Sequence, residues 1–187
     1  MTLDVIFPVW RPVAAARPAM SHAWWQWVAS TDSLTTRLTR AGKEQPFRVK
    51  LLRQEVGRPL PDEAQALGIP LGRHAWLREV ALCLGETPWV MARSVAPLSQ
   101  LHGQRLERLG ERSLGSWLFQ QPDLVRGPLE VSNHPARFAQ ARLVQAELVQ
   151  AKGPWARRSV FRHGALSLLV QEYFLAEMAE ELALPSR

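Results

Sequence analysis

Apolar residues gather in two pairs of neighbouring segments, 74–84 with 88–96 and 155–163 with 165–175. A glycine-bearing turn separates the members of each pair, Gly85-Glu86-Thr87 in the first and His163-Gly164 in the second. Two strand-like runs around so short a turn predict β-hairpins. Residues 47–55 (FRVKLLRQE) predict another strand, ended by Gly57 and Pro59, and residues 124–132 a further one. Between the strands the pattern turns helical. Ser21 is a candidate N-cap for the Trp-rich segment 21–28, read as one apolar helix face, and a second helix starts at Thr31-Asp32-Ser33 and stops at Gly42 as a C′ glycine. Residues 61–68 form a helical turn or loop, 98–109 a helix stopped at Gly110, 114–120 a helix capped by Ser113, and 135–150 a helix. About five strands joined by tight turns give a mostly antiparallel sheet, hence an α+β fold in one domain with helices covering one face. Residues 1–20, rich in Pro and Ala, read as an irregular N-terminal arm, 21–175 as the domain, and 176–187 as a helical C-terminal tail.

Side chains alternate between the two faces of a strand, so a lone charge on an apolar face stands out. Arg78 is the only charge among Trp76, Val80, Leu82 and Leu84, and Glu172 is the only charge among Leu166, Leu168, Val170 and Phe174. Arg93 is the odd member of Trp89, Met91 and Val95, and Arg157 shares a face with Trp155, Ser159 and Phe161. A buried charge needs a partner. In one reading Arg78, Arg93 and Glu172 satisfy one another as a structural network. In the other they line a closed pocket in which arginines await an anion and Glu172 handles a hydroxyl or a proton. The helix starts at Ser33-Leu34 and Ser113-Leu114 add backbone N–H groups suited to a carboxylate.

Composition narrows the classes. A chain of 187 residues fits one domain with a sizeable core. The single cysteine, Cys83, allows no internal disulfide and no thiolate metal cluster, and its apolar neighbours predict a buried, inert thiol. The five histidines are dispersed, so no metal site is expected. The net charge of +6 comes from scattered arginines without a recognition motif, which suits an anionic small molecule and not nucleic acid. Phosphate-binding, dinucleotide, zinc-protease and nucleophile-elbow motifs are absent. The first twenty residues do not read as a signal peptide and no run is long enough to span a membrane; the expected compartment is the cytoplasm.

Six segments, DSLTTRLTRAG (32–42), WLRE (76–79), PWVMARSVAP (88–97), LGERSLGSWLF (109–119), WARRS (155–159) and LLVQEYFL (168–175), occur in an order that resembles the bacterial chorismate pyruvate-lyase family. The resemblance spans about residues 22–175. It implies an antiparallel sheet with helices around a buried pocket, and no cofactor. It also implies that Arg78 and the backbone N–H groups of Leu34 and Leu114 hold a product carboxylate, while Glu172 meets the ring hydroxyl. Leu34 replaces a Met and Ala92 a Gly of the familiar pattern, and 132–154 does not align.

The implied activity is that of a carbon–oxygen lyase, converting chorismate to 4-hydroxybenzoate and pyruvate on the way to ubiquinone. Arg93 or Arg157 is then expected at the pyruvyl carboxylate. The expected partner is chorismate alone, with the protein a monomer. Two alternatives are a related chorismatase giving 3-hydroxybenzoate and a non-catalytic sensor of the same fold. About 20 residues before the first helix are too few for a winged-helix DNA-binding module.

Overall fold

The computed structural model describes residues 8–101, 106–134 and 155–186. The helix expected over 135–150 lies outside them. In chain order the described elements are β1 (Arg11–Pro12), α1 (Val13–Ala16), α2 (His22–Val28), α3 (Leu34–Ala41), β2 (Phe47–Gly57), α4 (Pro61–Leu67), β3 (Ala75–Leu84), β4 (Thr87–Pro97), α5 (Leu114–Leu118), β5 (Val125–Arg126), β6 (Glu130–Ser132), β7 (Ala156–His163), β8 (Leu166–Phe174) and α6 (Ala176–Glu181). The fold is α+β, with one antiparallel sheet in the order β1-β6-β7-β8-β4-β3-β2 and β5 paired to β7.

Both expected hairpins form. Their turns are two residues long, with Gly85 at φ 58° and Gly164 at φ 55°, a left-handed backbone that glycine adopts without strain. The expected strand 124–132 is instead two short strands, because Gly127-Pro128 interrupts it and proline has no N–H for a ladder. Of the helix expected over 98–109, residues 102–105 lie outside the described residues, and the flanking parts form 3₁₀ turns at Leu98–Gln100 and Leu106–Arg108. Gly42 ends α3 as expected, but with ordinary helical φ of −71°. Its reason is packing: a Cβ there would lie 2.1 Å from Leu84 Cδ1.

Helices α2, α3 and α5 cover one face of the sheet. Two apolar clusters fill the space beneath them. One joins Trp24, Val28, Leu34 and Leu38 to Leu82, Leu84, Val90 and Phe174. The other joins Trp76, Ala96, Leu114, Leu118, Phe161 and Leu168. The polar positions of this face lie between the two clusters. Strand pairing aligns Arg78 with Ser94, Val170 and Ser159 in one row, and Val80 with Ala92, Glu172 and Arg157 in the next. A polar band thus crosses four strands, one pleat wide on each, walled above and below by apolar side chains. Cys83 is buried on the opposite face, where burial pushes its thiol pKa up, as expected of an inert thiol.

Candidate active site

The band forms the floor of a cavity whose walls are α3 and α5. Arg78, Arg126, Arg157 and Glu172 line it, together with Leu34 and Leu114. Arg78 is 1% exposed, yet no carboxylate pairs with it among the described residues. Its Nη2 donates to the carbonyls of Gly110 and Arg112, both at 2.9 Å, and its Nε is buried without a partner. Burial lowers its pKa to about 10. Carbonyl dipoles hold the guanidinium in place without neutralising it, so an incoming anion meets a fixed, dry positive charge.

Glu172 faces a different neighbour. Its Oε2 accepts from Arg157 Nε at 2.5 Å. Arg157 Nη1 donates to the carbonyls of Trp27 (3.1 Å) and Ser30 (2.9 Å) and to Ser30 Oγ (3.0 Å). Arg157 therefore closes the C-terminal end of α2, as basic side chains do at helix ends, while fixing the carboxylate of Glu172. Adjacent strands lie about 4.8 Å apart and alternate residues about 6.7 Å, which puts the Arg78 and Glu172 backbones about 12 Å apart across β4. Two side chains reaching inward over that span can grip opposite ends of one aromatic ring.

Two helix starts close the cavity. Ser33 Oγ accepts from Thr36 N and Ser113 Oγ from Ser116 N, so each serine caps its helix and leaves the first amide, of Leu34 or Leu114, outside the cap. Thr35 Oγ1 and Ser113 Oγ lie 2.8 Å apart, tying α3 to α5.

Of the six residues singled out in the sequence, five meet here: Arg78, Leu34, Leu114, Glu172 and Arg157. Arg93 does not. It points to the opposite face, where it donates to both carboxylate oxygens of Glu63 (2.6 and 3.0 Å) and to Glu79. Burial alone would lower its pKa, but the hydrogen bonds and charges of Glu63 and Glu79 hold it above the ordinary value. The expectation that Arg93 reaches a substrate carboxylate is corrected, and so is a network joining Arg78, Arg93 and Glu172. Along β4 it is Ala92 and Ser94 that face the cavity. The residue that sequence reasoning missed is Arg126. It stands in a short strand before Gly127-Pro128, where two residues are too few to show an alternating face.

The fold and the cavity define a class: an α+β protein with a cavity between sheet and helices and, among the described residues, a buried arginine in it that no carboxylate pairs with. More specifically, the chain belongs to the chorismate lyase family, whose model matches residues 9–181. It is 58% identical over 181 residues to a probable chorismate pyruvate-lyase of Chromohalobacter salexigens, covering 97% of this chain and 96% of that protein. It is 43% identical over 175 residues to a probable chorismate pyruvate-lyase of Halorhodospira halophila, covering 91% of each. Among solved structures, the effector domain of PhnF from Mycobacterium smegmatis shares the fold, with a TM-score of 0.52 at 14% identity over 79% of this chain and 91% of that one. No helix among the described residues is long and apolar enough to cross a membrane.

Proposed function

We propose that this protein is a chorismate pyruvate-lyase, releasing 4-hydroxybenzoate and pyruvate from chorismate and feeding the first into ubiquinone synthesis. The observation that carries the reading is the pairing of an uncompensated buried cation, Arg78, with an acceptor, Glu172, on the same polar band, their backbones about 12 Å apart and both side chains lining the cavity between.

The substrate is a cyclohexadiene carrying a ring carboxylate, a hydroxyl and an enolpyruvyl ether. Breaking the ring carbon–oxygen bond of the ether and losing one ring proton makes the ring aromatic, and the departing enolate takes up a proton to become pyruvate. Aromatisation drives the reaction, so the protein's task is to place the substrate, exclude water and stabilise the departing charge. Arg78 and the Leu34 and Leu114 amides take the ring carboxylate. Glu172 accepts the ring hydroxyl and stands where a proton can be taken or returned. Arg157 is a positioning residue, with its guanidinium committed to Glu172 and to the end of α2.

Purified protein mixed with chorismate tests this directly, with chromatography and a pyruvate assay as readouts. Equal amounts of 4-hydroxybenzoate and pyruvate are expected. A 3-hydroxy product would convert the reading to the related chorismatase, and unchanged chorismate that raises the melting temperature would convert it to a sensor. Glu172→Gln keeps an acceptor for Arg157 while removing the charge. It is expected to lower turnover by about 100-fold or more with little loss of thermal stability.

A further inference from the structure

Arg126 is the second arginine of the cavity without a carboxylate partner. Its Nε donates to Ser159 Oγ at 3.0 Å and its Nη1 to the Ser30 carbonyl at 3.4 Å, both neutral acceptors. Its guanidinium lies over the Phe161 ring, 5.3 Å from the centroid. No ion pair includes it among the described residues. Burial, and then the charge of Arg157, lower its pKa. Of the three arginines in the cavity, Arg157 is paired with Glu172, and Asp32, the other acid of the lining, is paired with Arg37, so Arg78 and Arg126 are the cavity's two arginines without an ion-pair partner among the described residues.

The two uncompensated arginines stand far apart. Arg78 is on β3 and Arg126 on β5, with β4, β8 and β7 between them. At about 4.8 Å per strand their backbones are about 20 Å apart, and the cavity fills the gap between their side chains. Arg126 also borders a second, open cleft, lined by Thr31, Phe119, Leu124 and Leu129, and shares Phe161 with both spaces. It therefore stands at an end of the cavity that borders an open cleft.

We infer that Arg126 binds the carboxylate of the enolpyruvyl arm and is the residue by which the site distinguishes substrate from aromatic product. The inference rests on the lyase reading. The substrate has two carboxylates and the hydroxybenzoate only one. Arg78 serves the carboxylate that both share, and Arg126 the one that leaves with the three-carbon fragment. Once the carbon–oxygen bond breaks, that fragment is held beside the open cleft, while the ring acid stays at the Arg78 end.

The test compares two ligands in one variant. Arg126→Met keeps the bulk of the side chain and removes its charge; Arg126→Lys restores the charge without the planar fork. In Arg126→Met, kcat/KM for chorismate should fall by about 100-fold, the worth of one charge-assisted contact, while the Kd for 4-hydroxybenzoate stays within about twofold. Arg126→Lys should recover part of kcat/KM. Arg78→Met should weaken both ligands. Equal losses for both ligands in Arg126→Met would show a structural role only, and unchanged kcat/KM would show none; either overturns the inference. If wild-type protein leaves chorismate intact, the lyase reading falls first and takes this inference with it. If wild-type protein turns over but the split is missing, only the inference falls.

Discussion

Arg78 and Arg93 show how much the setting of one side chain decides. Both are buried arginines on adjacent strands, and both stand out in the sequence as lone charges among apolar neighbours. Arg93 meets two carboxylates, whereas Arg78 meets only carbonyls. The sequence made Arg78 and Glu172 legible because long strands carry unbroken alternation on both sides of each. It misplaced Arg93 because β3 and β4 are buried on both faces, so hydrophobicity does not say which face holds the cavity. Glu63, the partner that settles the matter, comes from a helix thirty positions earlier. The state of Arg78 leads to a pH test. Its free pKa is about 10, and a bound carboxylate, favouring the charged form, raises it. Affinity for a carboxylate is then complete only well below pH 10, is about halved near pH 10 and declines further as pH rises. Benzoate, which has no group titrating in that range, is the probe, with Trp fluorescence or calorimetry as the readout. Constant affinity well past that pH, in protein still folded by circular dichroism, would contradict the assignment.

The two capped helices over the cavity depend on single residues at their starts. Ser21, Ser33 and Ser113 each accept from an amide three residues on; Ser21 and Ser113 were readable as caps, whereas the second helix was placed only to a start at Thr31-Asp32-Ser33. The tie between Thr35 and Ser113 was not readable, since 78 residues separate the partners and only the packed sheet brings them together. Ser33→Ala and Ser113→Ala should each cost about 1 kcal/mol of stability, the ordinary worth of a cap. That corresponds to about 2–4 °C in melting temperature for a chain of this size. Only Ser113→Ala also cuts the tie. It alone should speed dissociation of bound 4-hydroxybenzoate, measured by stopped-flow fluorescence. Equal dissociation rates in the two variants would mean that α3 and α5 do not gate the cavity. Gly42 belongs to the same scale: it was legible as a stop, while its packing against Leu84 needed the structure.

The two faces of the sheet divide the work of the molecule. One carries the cavity. The other carries a closed polar network in which Glu63 binds Arg93 and Gln171, Gln171 accepts from Tyr173, and Asp62 and Glu130 hold Arg158. Burial and the nearby acids push the Tyr173 hydroxyl well above its ordinary range, so it stays a neutral donor. Removing one member of a buried pair leaves the other charge stranded, at a cost of about 3–5 kcal/mol. Arg93→Met is therefore expected to lose about that much in urea denaturation, while the molecules that remain folded bind benzoate as tightly as before. A loss of benzoate affinity in that folded population would return Arg93 to the site. The overall class was legible because hairpin turns and antiparallel strands announce themselves locally. The edge strand β1 was not, since it is two residues long and is defined only by its pairing to β6, and the break that splits the expected strand 124–132 into β5 and β6 needed the structure.

The place of β8 in the sheet has a consequence for how the protein is made. It is the last strand in the chain, yet it lies between β4 and β7 near the middle of the sheet. While a ribosome is still building residues 166–174, β2, β3 and β4 can already pair with one another, but β7 has no neighbour on that side and β4 shows a bare edge. Exposed edges of this kind recruit other chains, so the nascent protein is most prone to aggregate until β8 has been made. A ribosome stalled between codons 164 and 168 would release a chain that has β4 on one side and β7 on the other but lacks the strand that joins them.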